Sequence, residues 1–322
     1  MAGDLRTPAG SAWTAATFEE LVDPYRRELL VHCYRMLGSL DDAEDAVQDA
    51  LTRAWAGRDT FVRPTSIRAW LYRIATNACL DAIDRRRREA RGPGTAAVVP
   101  APDEILLRIA APDAGPEARY TERESVSLAF LTVLQILPPR QRAVLLLRDV
   151  LAMRATEVAS LVDLSVPAVN SALQRARVTV RARHRPEAVG TSGAGATAPH
   201  LRTLLDRYVR AWEAADIAGL VGLLRDDAVL AMPPIPSVVG GRAIGAFLAE
   251  AILVGAGPHR LVAAAANGQP AFAAYVRTGS GPRLGLFSLL VLSTDGRRVT
   301  RIDAFKDRRA IGRFGLANEL PI

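Results

Sequence analysis

At 322 residues the chain is too long for one ordinary hydrophobic core and suits two or three domains. Hydrophobic residues at 49% and charged residues at 23% exclude a disordered chain. A net charge of +7 favours a polyanionic partner, though weakly: Lys306 is the sole lysine, and a GC-rich genome would give the same arginine excess.

Two cysteines, Cys33 and Cys79, each sit in an apolar helical pattern with no CxxC or Cys/His neighbourhood. They read as reduced core thiols, which fits a reducing cytoplasm, and neither a metal nor a cofactor is expected. Residues 1–17 lack a basic-then-apolar signal pattern, and no run is long enough to span a bilayer, so a soluble cytoplasmic protein is expected.

Composition divides the chain into a disordered N-terminus (1–17), a helical segment (18–91), a linker rich in proline, glycine and alanine (92–116), a second helical segment (117–185), a flexible linker (186–200) and a mixed helix-and-strand segment (201–322). The linker at 92–116 carries one short helical insert. In the first helical segment, Leu40, Ala43, Val47, Ala50, Leu51 and Ala54 recur at helical spacing and mark one buried stripe. Asp41, Asp42, Glu44, Asp45, Gln48 and Asp49 occupy the other faces, either as a solvated surface or as a dock for a basic partner. Periodicity alone does not choose.

After a loop at 57–66, a helix is expected from Ile67 to Arg88, with Ile67, Leu71, Ile74, Ala75 and Ala78 as its core side. Tyr72, Arg73, Thr76, Asn77, Asp81 and Asp84 fall elsewhere on it, and four arginines end it. Aromatic rings beside a basic helix suit unstacked bases on a phosphate backbone. Core anchoring of Phe61 and Trp70 is the competing reading.

In the second helical segment a short helix (156–162), a turn at Asp163–Ser165 and a second helix (166–177) have helix-turn-helix spacing. Ser165 suits the N-cap and Pro167 the first turn. Val166, Val169, Leu173 and Ala176 form its inner face, leaving Pro167, Asn170, Ser171, Gln174 and Arg175 outward. Asn, Gln and Arg are the side chains that pair with adenine and guanine edges in the major groove. Arg177, Arg181, Arg183 and Arg185 then suit phosphate contacts.

Taken in order, these pieces resemble the extracytoplasmic-function (ECF) sigma factors of bacterial RNA polymerase. DDAEDAVQDALTRAW (Asp41 to Trp55) resembles region 2.2, and IRAWLYRIATNACLDAIDRRRR (Ile67 to Arg88) resembles regions 2.3 and 2.4. LPPRQRAVLLLRDV (Leu137 to Val150) resembles region 4.1 and SVPAVNSALQRARVTVR (Ser165 to Arg181) region 4.2. The resemblance implies two all-α domains, with core RNA polymerase (β′ clamp and β flap) and promoter DNA as partners. By the same resemblance Asp45, Gln48 and Asp49 bind the polymerase. Phe61, Ile74 and Asn77 hold a flipped base of the −10 element, and Asn170, Ser171, Gln174 and Arg175 read the −35 element. Arg85, Arg86, Arg177 and Arg181 contact phosphates.

Two departures stand out. The loop GRDTFVRPTS has a proline, Pro64, where many relatives have a small polar turn, and Arg154 replaces the usual Ser or Thr cap of the first helix of the DNA-binding pair. Loss of that cap costs about 1 kcal/mol.

The tail resembles the SnoaL-like polyketide-cyclase domains in LLDRYVRAWEAADIAGLVGLLRDDAVLAMPP (Leu204 to Pro234), NGQPAF (Asn267 to Phe272) and FGL (Phe314 to Leu316). This implies an α+β cone with a small-molecule pocket, whose candidate lining is Trp212, Met232, Phe247, Phe272, Tyr275 and Phe287; plain core packing is the competing reading. Asp226, Asp227, His259 and Asp303 are its candidate acid–base groups, with Asp226 and Asp227 expected in a turn and His259 in a loop. The expected function is promoter recognition and initiation, with the tail modulating it and no catalysis. The alternatives are a SnoaL-like enzyme tethered to DNA by a helical front, and an interaction module that does not bind polymerase.

Overall fold

The computed structural model describes residues 14–61, 66–89, 98–107, 123–183, 198–253, 258–277 and 282–322. The N-terminus expected to be disordered (but for 14–17), the turn at Pro64 and most of the flexible linker (186–197) lie outside these residues. The described helices of the first two-thirds are α1 (Ala15–Leu37), α2 (Leu40–Ala56), α3 (Ile67–Glu89), α4 (Asp103–Leu106), α5 (Leu128–Ile136), α6 (Pro139–Leu145), α7 (Ala155–Leu161) and α8 (Val166–Arg183). The chain divides into two compact units: Met1–Val98 with Leu131–Arg183, and Val99–Phe130 with His184–Ile322.

In the first unit α1, α2 and α3 pack on one another. Thr14 and Thr17 cap α1 reciprocally, each hydroxyl accepting the other's backbone N–H at 3.1–3.2 Å. Gly38, at φ +77°, ends α1 in the left-handed conformation, and Ser39 caps α2. The α2 stripe is buried as its period requires. Helix α3 departs from its expected pattern: Leu71, Ala75 and Ala78 are buried, but so are Tyr72 and Thr76, while Ile67 and Ile74 are only half-buried. It packs against both α1 and α2, so two of its faces are covered where a single apolar stripe foretells one. The second face is polar and satisfied internally. Glu28 Oε2 accepts from Tyr72 Oη at 3.1 Å and from Arg68 Nε at 2.9 Å, and His32 Nε2 meets Thr76 Oγ1 at 3.0 Å. Tyr72 is therefore a core residue and not a platform for bases.

Helix α6 runs on through a π-helical turn, Leu146–Val150, and α7 and α8 follow. Arg142 is buried beside the C-terminal end of α1. Its guanidinium donates to the carbonyls of Met36, Gln135 (3.0 Å) and Leu137 (3.3 Å) and to Gln135 Oε1 at 2.6 Å. Gln135 Nε2 in turn donates to the Arg35 carbonyl at 3.4 Å. Burial brings the Arg142 pKa down to about 10, which still leaves it charged at neutral pH, and the carbonyl end of a helix favours a cation.

The second unit carries α9 (Ala198–Glu213) and α10 (Ile217–Leu223), then β1 (Leu224–Met232), β2 (Ile235–Val239), α11 (Gly241–Leu248), β3 (Arg260–Ala266), β4 (Gln269–Arg277), β5 (Arg283–Thr294), β6 (Val299–Phe305), α12 (Arg308–Gly312) and β7 (Glu319–Pro321). The strands form one sheet in the order β2-β1-β6-β5-β4-β3, with β7 on β5. Among the described strands only the β1–β6 pairing is parallel. Tyr208 and Trp212 of α9 pack with Leu220, Ile244, Phe272 and Ile302 in its core. The short helix expected in the linker is present as α4. The described residues from Val99 to Phe130 cluster with the sheet unit.

Candidate polymerase and promoter interfaces

The charge on α2 is partly neutralised from its own unit. Asp45 and Gln48 are exposed and Asp49 is half-buried, held by Arg53 Nη2 at 2.7 Å. Arg53 also reaches Asp81 on α3 at 2.6 Å, and Arg86 pairs with Asp42. The sequence-predicted set is thus brought to one side of α2, one helical turn deep. Of the candidate phosphate contacts at the end of α3, Arg85 is exposed and Arg86 is engaged with a carboxylate.

The three −10 candidates come from two elements. Ile74 and Asn77 lie three residues apart on α3, both half-buried, and so share a face. Phe61 ends the short 3-10 turn Arg58–Thr60 and packs against Trp70 with ring centroids 5.2 Å apart. Trp70 and Phe61 thus anchor each other, and both stay partly accessible.

The helix-turn-helix is built as the sequence spacing predicts. Asp163 sits at φ +51° in the turn between α7 and α8, and Ser165 Oγ accepts from Ala168 N–H at 3.3 Å. Val169, Ala172, Leu173 and Ala176 are buried, while Asn170, Ser171, Gln174 and Arg175 are all exposed on one face. The uncapped start of α7 is half repaired. An arginine side chain has no acceptor, but Glu157 accepts the Arg154 backbone N–H at 2.8 Å and its guanidinium at 3.1 Å. Those bonds hold the Glu157 carboxyl below its ordinary range. Arg181 is exposed; Arg177 forms a two-pronged pair with Asp149 at 2.6 and 2.8 Å. Arg73 of α3 meets Asp163 at 3.4 Å.

In the sheet unit, Trp212, Met232 and Phe287 line a cavity between sheet and helices, together with Leu230, Ile302 and Ala304. Its free volume is about 10 Å³, space for one water at most. Phe272 is in the core, and Tyr275 donates its hydroxyl to the Ala317 carbonyl at 2.7 Å. The four acid–base candidates are not assembled. Asp226 and Asp227 are exposed residues of β1, not of a turn, and Asp227 pairs with Arg225. Ile302 and Ala304 face the cavity, so Asp303 between them faces away from it, where Arg301 holds it at 2.8 Å. Burial outweighs that guanidinium and pushes the Asp303 carboxyl up. Asp303 registers through Val291 and Ala271 with Ala264 of β3, and His259 precedes that position by five residues, so three strand spacings and five residues separate the two groups.

Three family models match the chain: Sigma-70 region 2 over residues 21–89, Sigma-70 region 4 over 127–180, and a SnoaL-like domain over 205–309. The ECF RNA polymerase sigma factor SigG of Mycobacterium tuberculosis is 43% identical over 317 residues, covering 94% of this chain and 85% of that protein. The chain belongs to the ECF RNA polymerase sigma factors. SigW of Bacillus subtilis, another ECF sigma factor, is 29% identical over 172 residues, covering 52% of this chain and 89% of that protein. The crystal structure of the M. tuberculosis sigma factor SigJ shares the fold, with a TM-score of 0.63 at 23% identity, over 94% of this chain and 100% of that one. As an ECF sigma factor the chain recognises promoter DNA and directs initiation by core RNA polymerase, so the chemistry of RNA synthesis is the polymerase's. Among the described residues no helix is long and apolar enough to cross a membrane.

Sequence reasoning placed Asn267 and Gln269 in a SnoaL-like motif and Arg142 in the region 4.1 run, but gave none of them, nor Gln135, a role as a buried polar residue. The Asn-Gly dipeptide at 267–268 was a legible hairpin signal. Nothing local marks any of these side chains as buried.

Proposed function

We propose that this sigma factor reads its −35 element with the outer face of α8 and its −10 element with Phe61, Ile74 and Asn77. The observation that carries the reading is the separation on α8: every apolar residue from Val169 to Ala176 is buried, and Asn170, Ser171, Gln174 and Arg175 are exposed. A second helix presented after a tight turn is the element that enters the major groove, and these side chains match its donor and acceptor pattern. Extruding a base costs a few kcal/mol, so a pocket at Phe61 and α3 that receives it couples −10 recognition to strand opening. Asp45, Gln48 and Asp49 dock the β′ clamp through complementary charge, and the region 4 helices take the β flap. The SnoaL-like tail modulates this activity, and a small apolar ligand is admitted only where the cavity at Trp212 opens.

Replacing Arg175 and Arg181 separately tests the reading by fluorescence anisotropy on promoter fragments. Arg175→Ala should relax preference at one −35 position, at a cost of about 1–3 kcal/mol if its contact is bidentate. Arg181→Ala should weaken all sequences alike and lower the salt slope by about 1. If both variants lose affinity with sequence preference intact, α8 touches only the backbone.

A further inference from the structure

The turn between β3 and β4 is Asn267–Gly268, both in the left-handed conformation at φ +57° and +74°. Such two-residue hairpin turns ordinarily stand in solvent. Here Asn267 is fully buried and Gln269 nearly so. Their partners lie in the segment joining region 2 to region 4 and at the first residues of region 4. Asn267 Oδ1 accepts from the Ala101 N–H at 2.9 Å, and its Nδ2 donates to the Val126 carbonyl at 2.8 Å. The Gly268 N–H donates to Asp103 Oδ1 at 2.7 Å, and Gln269 Oε1 accepts from the Leu128 N–H at 3.0 Å. A Cβ on Gly268 would stand 3.1–3.2 Å from Arg123, so the segment lies against the turn as closely as glycine permits. One amide group therefore pins two points of the linker that are remote in sequence, and buried amides left without these partners would be strongly disfavoured.

We infer that this turn is a latch on the linker, through which the SnoaL-like domain sets how far apart regions 2 and 4 can reach. The inference rests on the reading that those regions bind the −10 and −35 elements together. At about 3.4 Å per residue the open chain from Glu89 to Leu128 spans up to about 130 Å. With Ala101 and Val126 on one amide, the same chain reaches only about 55 Å. Latching therefore takes away more than half of the linker's own reach, which adds to that of the two domains in covering the about 85 Å between elements centred at −10 and −35 on B-form DNA. Latched, the linker restrains simultaneous engagement; released, it has slack. This is a specific means by which the tail acts on the front, and it needs no catalysis.

The test uses the full chain with core polymerase. Asn267→Asp keeps the turn conformation but cannot donate to Val126, and Asp103→Ala removes an anchor on the linker side without touching the sheet. Both should raise amide hydrogen exchange in residues 99–106 and 123–130 by about tenfold while β4 and β5 stay protected. Both should also gain severalfold in run-off transcription from promoters whose −10 to −35 spacer is lengthened, where the unaltered chain loses activity. Unchanged exchange in both variants overturns the latch, as does a released linker with unchanged spacer preference. No transcription by the unaltered chain from any promoter would instead sink the promoter reading, a different result from either.

Discussion

Two of the arginines assigned to phosphates already hold an anion. Arg177 grips Asp149 through two bonds, and Arg86 grips Asp42. Both pairs are partly exposed, and such pairs contribute roughly 0–1 kcal/mol, so a phosphate on an incoming duplex can displace either carboxylate. The carboxylates also hold the guanidinium groups in place before DNA arrives, at the cost of a competition that DNA must win. Asp149→Ala should therefore tighten binding to all sequences equally and steepen the dependence of log K on log salt by up to about 1. Anisotropy titrations from low to moderate salt measure this. An unchanged slope would show that Arg177 contacts no phosphate.

At the scale of elements, α3 shows where sequence reading succeeds and where it stops. The single stripe on α2 and the inner face of α8 were legible because each helix buries one side, so period alone fixes the faces. Helix α3 is covered on two sides, and its second face is held by Tyr72 and Thr76, which periodicity counts as outward, against Glu28 and His32 of α1. The same limit hid the linker. Its composition reads as a tether, yet Ala101 and Leu106 are fully buried, because the amide that holds it lies more than a hundred residues away in sequence. Asp226 and Asp227 were misplaced for a local reason: α10 gives way to β1 at once, with no turn between.

His32 turns the polar face of α3 into a pH dependence. Burial, reinforced by Arg35 and Arg68, lowers its pKa from 6.5 to about 3. The folded chain holds the ring neutral, whereas the unfolded chain protonates it below about pH 6.5. Its contribution is thus complete above that pH and is lost as pH falls toward 3, by about 1.4 kcal/mol per unit. Urea denaturation of the helical front between pH 7 and 5 should show this slope, and His32→Gln should flatten it by one proton. Equal slopes in both proteins would mean that His32 is protonated in the folded state.

At the scale of the whole molecule, the chain is an initiation factor whose promoter-reading parts and SnoaL-like tail are interleaved in sequence. The second compact unit takes in Val99–Phe130 as well as the tail, so the tail is not a simple appendage to the front. That organisation gives the tail a mechanical hold on the linker, and its nearly filled cavity and dispersed acid–base groups give it no assembled chemistry among the described residues. The proposed action of the tail on transcription runs through the front, which must itself bind polymerase and promoter. Run-off transcription with core polymerase, comparing the unaltered chain with Asp45→Lys/Asp49→Lys, tests this most directly. The unaltered chain should give discrete transcripts that vanish when the −10 or −35 element is scrambled. The folded double variant should give none, because its reversed charges would face a basic surface of like charge. Equal promoter-specific transcription by the double variant, or none by the unaltered chain, would contradict the account.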